Sequence, residues 1–301
     1  MAMWHLTLLG APTDAGAGLA GAHLGPDALR GAGLAQALRA QGHEVQDLGD
    51  LAGPPTPAHE ARHGPHHLAC VTAWNHAVHD AVAGILAARR LPVLLGGDHS
   101  LAVGSISAVA RHCRQVGKAL CVLWLDAHAD ANTPATSPSG NLHGMPVACL
   151  LGDGPAALTA LAGGPAALQP AQLRLVGIRS VDAGEQCYLR QRGLPVWRMP
   201  EVRALGMEAT MAQVLHGIGA GTHHLHVSLD LDCLDPALAP GVSTPAPDGL
   251  GAGAMRQCMD LLAASGAVGS VDLVELNPLR DRNGQTAQLA VDLLRRLSGS
   301  A

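Results

Sequence analysis

Leu120-Cys121-Val122-Leu123-Trp124-Leu125 is an unbroken apolar run, and Asp126-Ala127-His128-Ala129-Asp130 follows it directly. A short apolar run of this kind reads as a strand buried on both faces, the situation of strands in a parallel sheet covered by helices. The pattern recurs twice. Pro92 to Leu95 leads into Gly96-Gly97-Asp98-His99-Ser100, and His224 to Leu229 leads into Asp230-Leu231-Asp232. Other Val- and Leu-rich runs are Trp4 to Leu9, His43 to Leu48, Leu173 to Ile178, Leu194 to Met199 and Val268 to Leu276, which makes eight candidate strands. Amphipathic stretches with helix signals lie between them. Pro26-Asp27 opens a helix that Gly42 closes, and Ala69 to Arg90 ends on an Arg pair suited to a helix C-terminus. This alternation predicts an α/β fold, a three-layer α/β/α sandwich around an eight-stranded, mainly parallel sheet, with residues 1–301 forming a single domain. Gly49 to Pro65 and Asn132 to Gly144 read as long loops.

The three acidic motifs all follow strands, and ligands of open parallel sheets bind beyond the carboxyl ends of the strands. Residues i and i+2 of a strand share a side, so Asp126, His128 and Asp130 can converge, as can Asp230 and Asp232, if the strand continues or its exit curls inward. With His99 they supply six ligands around one cavity. Carboxylates outnumber imidazoles two to one and no cysteine joins the motifs, which favours Mn²⁺, with Co²⁺, Ni²⁺ or Zn²⁺ as substitutes, over a structural zinc site. Two such ions roughly 3.5–4 Å apart would share a water and turn it into a hydroxide near neutral pH, so hydrolysis is the expected reaction. Four aspartates balance two divalent ions, and a bridging hydroxide leaves the cluster at about −1. Such a site welcomes a cationic substrate.

Composition narrows the class of protein. The chain of 301 residues is 48% apolar, enough for a substantial core, yet it has no Phe, one Tyr and four Trp, so Leu, Ala and Val must do the packing. A formal charge of −5, with basic residues scattered rather than striped, argues against nucleic acid as a partner. The first ten residues lack a secretory leader and the apolar runs are too short to cross a bilayer, so a cytoplasmic protein is expected. Seven cysteines (70, 113, 121, 149, 187, 233 and 258) without CxxC spacing read as buried small hydrophobes.

Four stretches together resemble the ureohydrolases, and the arginases among them. They are Gly96-Gly97-Asp98-His99-Ser100, Asp126-Ala127-His128-Ala129-Asp130-Ala131-Asn132, Ser139-Gly140-Asn141-Leu142-His143-Gly144-Met145-Pro146, and Ser228-Leu229-Asp230-Leu231-Asp232-Cys233-Leu234-Asp235-Pro236. The resemblance extends to Leu9-Gly10-Ala11-Pro12, Gly25-Pro26-Asp27-Ala28-Leu29-Arg30 and Val274-Glu275-Leu276-Asn277-Pro278. It implies that His99, Asp126, Asp130 and Asp230 hold one Mn²⁺ and that Asp126, His128, Asp230 and Asp232 hold the other, with Asp126 and Asp230 bridging. It further implies cleavage of L-arginine to L-ornithine and urea, with Asp130 orienting the hydroxide, His143 shuttling protons and Glu275 meeting the guanidinium. Asn132, Ser137 and Ser139 would meet the α-carboxylate and Asp182 with Glu185 the α-ammonium, while Asn141 and Thr244 complete the substrate contacts. Arginases form trimers or hexamers, so a homo-oligomer is implied as well.

Simpler readings compete at single positions. Aspartates at strand ends are often helix N-caps, and Asp98 reads as one; Glu275 and His143 could be solvated. The histidines at 59, 63, 66, 67, 223, 224 and 226 read as solvated or core residues in a chain with 17 histidines. Gly10 to Gly21 lacks both the dinucleotide register and a P-loop Lys. Where ureohydrolases carry arginines and an acid in the early glycine-rich loop, this chain has Leu19, Ala20 and His23; Ser180, Ala183 and Asp248 are further departures, which puts recognition of the amino-acid end in question. The alternatives are another ureohydrolase of the agmatinase, guanidinobutyrase or formimidoylglutamase type, a mononuclear deacetylase of similar fold, and a catalytically silent metal-binding homologue.

Overall fold

The apolar runs become the strands of one sheet. The computed structural model describes residues 3–57 and 65–299, and the histidines at 59 and 63 lie outside them. The strands are β1 (His5–Ala11), β2 (Glu44–Asp50), β3 (Leu91–Gly96), β4 (Ala119–Leu125), β5 (Leu173–Ile178), β6 (Val196–Arg198), β7 (His223–Asp230) and β8 (Val268–Val274). Their order is β2-β1-β3-β8-β7-β4-β5-β6, and every pairing within the sheet is parallel. The expectation of a mainly parallel sheet is thus met in full. Side chains alternate across β4: Leu120, Val122 and Trp124 enter a core with helices Leu68–Ala87 and Ala102–Val116, while Cys121, Leu123 and Leu125 enter a second core with helices Ala252–Ser265 and Gln285–Leu297. Both layers lack Phe and are filled mainly by Leu, Val, Ala and Met. Among the described residues no helix is long and apolar enough to cross a membrane.

Several boundaries differ from expectation for local reasons. The helix from Pro26 to Gly42 is two helices, Gly25–Gly31 and Leu34–Ala40, because Gly33 turns into the left-handed region at φ 86°. The helix expected to end on the Arg pair stops at Ala87; Arg89 is left-handed, and Arg90 instead ties β1 and β2 through Thr7 Oγ1 (2.7 Å), the Leu6 carbonyl (2.7 Å) and Glu44. The run Leu194 to Met199 supplies only a three-residue edge strand, since Met199-Pro200 starts the next helix. The described cysteines are all free, and all are buried except Cys187, which is exposed. His224 Nε2 and His226 Nδ1 both meet Ser270 Oγ at 2.8 Å, which gives those two histidines a core role.

In this order β3, β8, β7 and β4 are consecutive, so the exits of four central strands open side by side. The β3 exit is pinned by backbone: Gly97 N–H donates to Ala11 O (3.0 Å), Asp98 N–H to Thr13 O (3.0 Å), and Gly97 O accepts from Glu275 N–H (2.8 Å). A Cβ on Gly97 would lie 1.7 Å from Thr13 O, so Gly97→Ala should destabilise the protein by about 1–3 kcal/mol in urea unfolding. Gly253→Ala, in a helix with nothing within 4 Å of the new methyl, should instead be neutral or gain up to about 1 kcal/mol.

Candidate metal centre and its cleft

Each of the three strand exits is curled by one device, an aspartate accepting the N–H two residues on. Asp98 Oδ1 takes Ser100 N–H (2.9 Å), Asp126 Oδ1 takes His128 N–H (2.6 Å) and Asp230 Oδ1 takes Asp232 N–H (2.8 Å). The strands therefore stop before or at these aspartates, and loop curvature rather than strand period gathers the ligands. Asp98 is the N-cap expected of it. Asp130 completes the curl in the left-handed conformation at φ 49°, and Glu275, after β8, adopts it at φ 64°. For non-glycine residues each costs about 1–3 kcal/mol, a cost offset by loop bonds such as Val147 N–H to Asp130 O (2.9 Å).

His99 Nδ1 lies 3.1 Å from Asp126 Oδ2, 3.2 Å from Asp130 Oδ2 and 3.1 Å from Asp230 Oδ2, and it is buried without a hydrogen-bond partner. Its Nε2 meets Ser228 Oγ at 2.8 Å. With the ring proton on Nε2, Nδ1 presents a lone pair to three carboxylate oxygens. His128 Nδ1 lies 3.0 Å from Asp232 Oδ2 and 3.6 Å from Asp126 Oδ1, forming a second cluster. The four carboxylates cannot all hold their charge comfortably: burial, reinforced by the charge of Asp126, raises Asp130 to about 7 and raises Asp232 too, and burial with the charges of Asp232 and then Asp126 raises Asp230 well above the usual range. A nitrogen lone pair and converging buried oxygens are a donor set for divalent cations, and the residues fit a pair of them. The centre also sits beyond the carboxyl ends of the central strands.

The cleft above this floor is lined by His128, Asp130, Asn132, Ser137, Ser139, Asn141, His143, Ser180, Asp182, Glu185, Asp230, Asp232 and Thr244, together with Gly144. His99, Asp126 and Glu275 lie behind the wall, each at most 1% exposed. Asn132 Nδ2 donates to Asp182 Oδ2 (3.0 Å), and Thr244 Oγ1 donates to Asp232 Oδ2 (3.1 Å). Ser137 and Ser139 hydroxyls accept from Gly140 and Asn141 N–H. Glu185 spends both oxygens on backbone N–H groups, of Ala131 (2.8 Å) and Asp182 (3.2 Å), and burial raises it to about 7. Glu275 Oε1 accepts His99 N–H (3.0 Å) and sits 3.0 Å from His143 Nδ1, while Oε2 is buried without a partner. Burial disfavours charge on His143, but the bond to Glu275 together with the charges of Glu275, Asp130 and Asp98 outweighs it and raises the imidazole to about 9.

The chain matches the model of the arginase family over residues 5–299. It is 40% identical to an arginase of Brucella melitensis over 98% of this chain and 96% of that one. The arginase structure from Bacillus caldovelox superimposes with a TM-score of 0.94 at 38% identity, covering 99% of both chains. An Entamoeba histolytica arginase crystallised with L-ornithine superimposes at 0.90 with 29% identity, over 99% of this chain and all of that one.

The chain belongs to the arginase family.

The departures from the family's usual pattern now have structural settings. Asp248 is left-handed at φ 64°, a conformation that aspartate tolerates. His23 Nδ1 meets Asp14 Oδ2 at 2.6 Å, and the same oxygen takes Gly21 N–H, so this pair shapes the early loop; Leu19 is exposed. Ser180 lines the cleft and bridges to His128. Two supporting residues escaped the sequence reading. Trp124 donates Nε1–H to Asp126 Oδ2 (2.8 Å) and stacks on His99 with ring centroids 4.0 Å apart, and Ser228 holds His99 Nε2. Both stand two residues before a motif aspartate, on the strand face that ends in the site, and that spacing was the available signal. Ser228→Ala should free the His99 tautomer and weaken Mn²⁺ binding about 10–100-fold in equilibrium titration, with little change in secondary structure.

Proposed function

We propose that this protein is a binuclear manganese hydrolase that cleaves the guanidinium group of L-arginine to L-ornithine and urea. The observation that carries the reading is the convergence of buried His99 Nδ1 on three carboxylate oxygens, with the His128 and Asp232 pair beside it; the likeness to arginases supports the substrate. His99, Asp126, Asp130 and Asp230 would hold one Mn²⁺ and Asp126, His128, Asp230 and Asp232 the other, with Co²⁺, Ni²⁺ or Zn²⁺ as substitutes. Such a pair of ions supplies an acidified water as nucleophile near neutral pH.

The remaining work falls to the chain's own residues. Asp130 accepts a hydrogen bond from the attacking water and aims its lone pair at the guanidinium carbon. Glu275 holds His143 at Nδ1 and keeps its unpartnered Oε2 for a guanidinium N–H. His143, whose imidazole is raised to about 9 against burial by the bond to Glu275 and the charges of Glu275, Asp130 and Asp98, gives a proton to the departing ornithine amine. Asn132, Ser137 and Ser139 meet the α-carboxylate, and Asn141 adds a further substrate contact. Asp182 with Glu185 meets the α-ammonium, and Thr244 closes the wall beside Asp232. The same reading carries a single-domain cytoplasmic enzyme that assembles into a trimer or hexamer and takes a small guanidino compound as its only partner besides itself.

Hydrolysis by the manganese-loaded protein should be far faster with L-arginine than with agmatine or 4-guanidinobutyrate, each followed by urea release, or with formimidoyl-glutamate, followed by formamide release. A preference for a compound lacking the α-amino and α-carboxylate groups would place the chain with another ureohydrolase activity, and no turnover of any of them would mark a silent homologue.

A further inference from the structure

Arg179, at the exit of β5, spends its whole guanidinium on backbone carbonyls. Nε donates to Pro247 O (2.9 Å), Nη1 to Gly177 O (3.3 Å) and Cys233 O (3.2 Å), and Nη2 to Asp232 O (2.7 Å), Leu234 O (3.2 Å) and Ala246 O (2.8 Å). It forms no ion pair among the described residues, and each of its hydrogen bonds goes to a backbone carbonyl rather than to a ligand side chain. Its own N–H and that of Ser180 both donate to Ala127 O, at 2.8 and 3.0 Å. Arg179 therefore joins three segments: its side chain holds the turn at Leu231–Cys233 and the strand of loop at Ala246 and Pro247, and its backbone N–H holds the Asp126 to Asp130 loop.

These segments carry one half of the centre. Asp232 is the hinge between them: Oδ1 accepts Ala127 N–H (3.1 Å), Oδ2 accepts the Thr244 hydroxyl (3.1 Å) and lies 3.0 Å from His128 Nδ1, and its own carbonyl is held by Arg179. His99, by contrast, is fixed by Ser228, Trp124 and the Glu275 bond to its N–H, none of which involves Arg179. We propose that Arg179 is the positioning residue of the His128 and Asp232 half-site, setting the affinity for the second cation while leaving the first untouched. The fork geometry is what the task requires, because five N–H groups in a fixed plane reach carbonyls on several loops at once, whereas an ammonium offers three donors from one point. This inference rests on the metal reading above.

The test is a stepwise Mn²⁺ titration of the full chain, with free Mn²⁺ followed by electron paramagnetic resonance and folding checked by circular dichroism. Wild type should take up two ions. R179M should keep the first with unchanged affinity and bind the second about 10–100-fold more weakly; if R179M does not fold, R179K, which keeps the charge and much of the length, carries the test with the same expectation. Two ions bound by a folded variant with wild-type affinities would overturn the proposal, and so would equal weakening of both, the mark of general damage. Fewer than two ions in wild type would overturn the metal reading itself and this inference with it.

Discussion

Everything in this molecule turns on the mutual repulsion of Asp126, Asp130, Asp230 and Asp232, four aspartates buried together around two imidazoles. Bare carboxylates at this depth are costly, and the raised protonation of Asp130 and Asp230 expresses that cost. The fold holds them together regardless, through backbone N–H groups donated into the carboxylates and through Trp124 beneath Asp126. A site built at such expense in left-handed backbone and crowded charge is one that expects compensation by cations.

The parallel sheet makes the crowding achievable. Strand order brings the exits of β3, β8, β7 and β4 side by side, so residues about 130 positions apart in sequence meet within hydrogen-bonding distance, as His99 and Ser228 do. Two apolar layers clamp the strands from both faces and leave little freedom for the exits. The polar wall is a loop, Asn132 to Gly144, whose residues bond largely to one another and are tied to the rest of the chain through Asp182, Gly16, His66 and Glu275.

Much of this was legible in the chain itself. Apolar runs ending in Asp-x-His or Asp-x-Asp identify both strand and site, because a doubly buried strand has no place for such residues except at its mouth. Of the two routes to convergence that the spacing left open, the exits curl inward, since the strands end and aspartate-capped turns take over; the period of two would also have found Trp124 and Ser228. Gly33 broke a helix that amphipathic patterning had drawn as one, and Pro200 cut an edge strand short. Arg179 was invisible, because a side chain that bonds only to carbonyls leaves no complementary charge to search for. The resemblance gives Glu185 a substrate contact, and the coordinates add a second role, since each of its oxygens also accepts a backbone N–H.

The most direct measurement of the central claim is anomalous diffraction at the manganese edge from crystals of the manganese-loaded protein. Two peaks roughly 3.5–4 Å apart, one beside His99 Nδ1 and one beside His128 Nδ1, with Asp126 and Asp230 reaching both, are the expected result. A single peak, or none, with the six side chains arranged around protein and water alone, would contradict it.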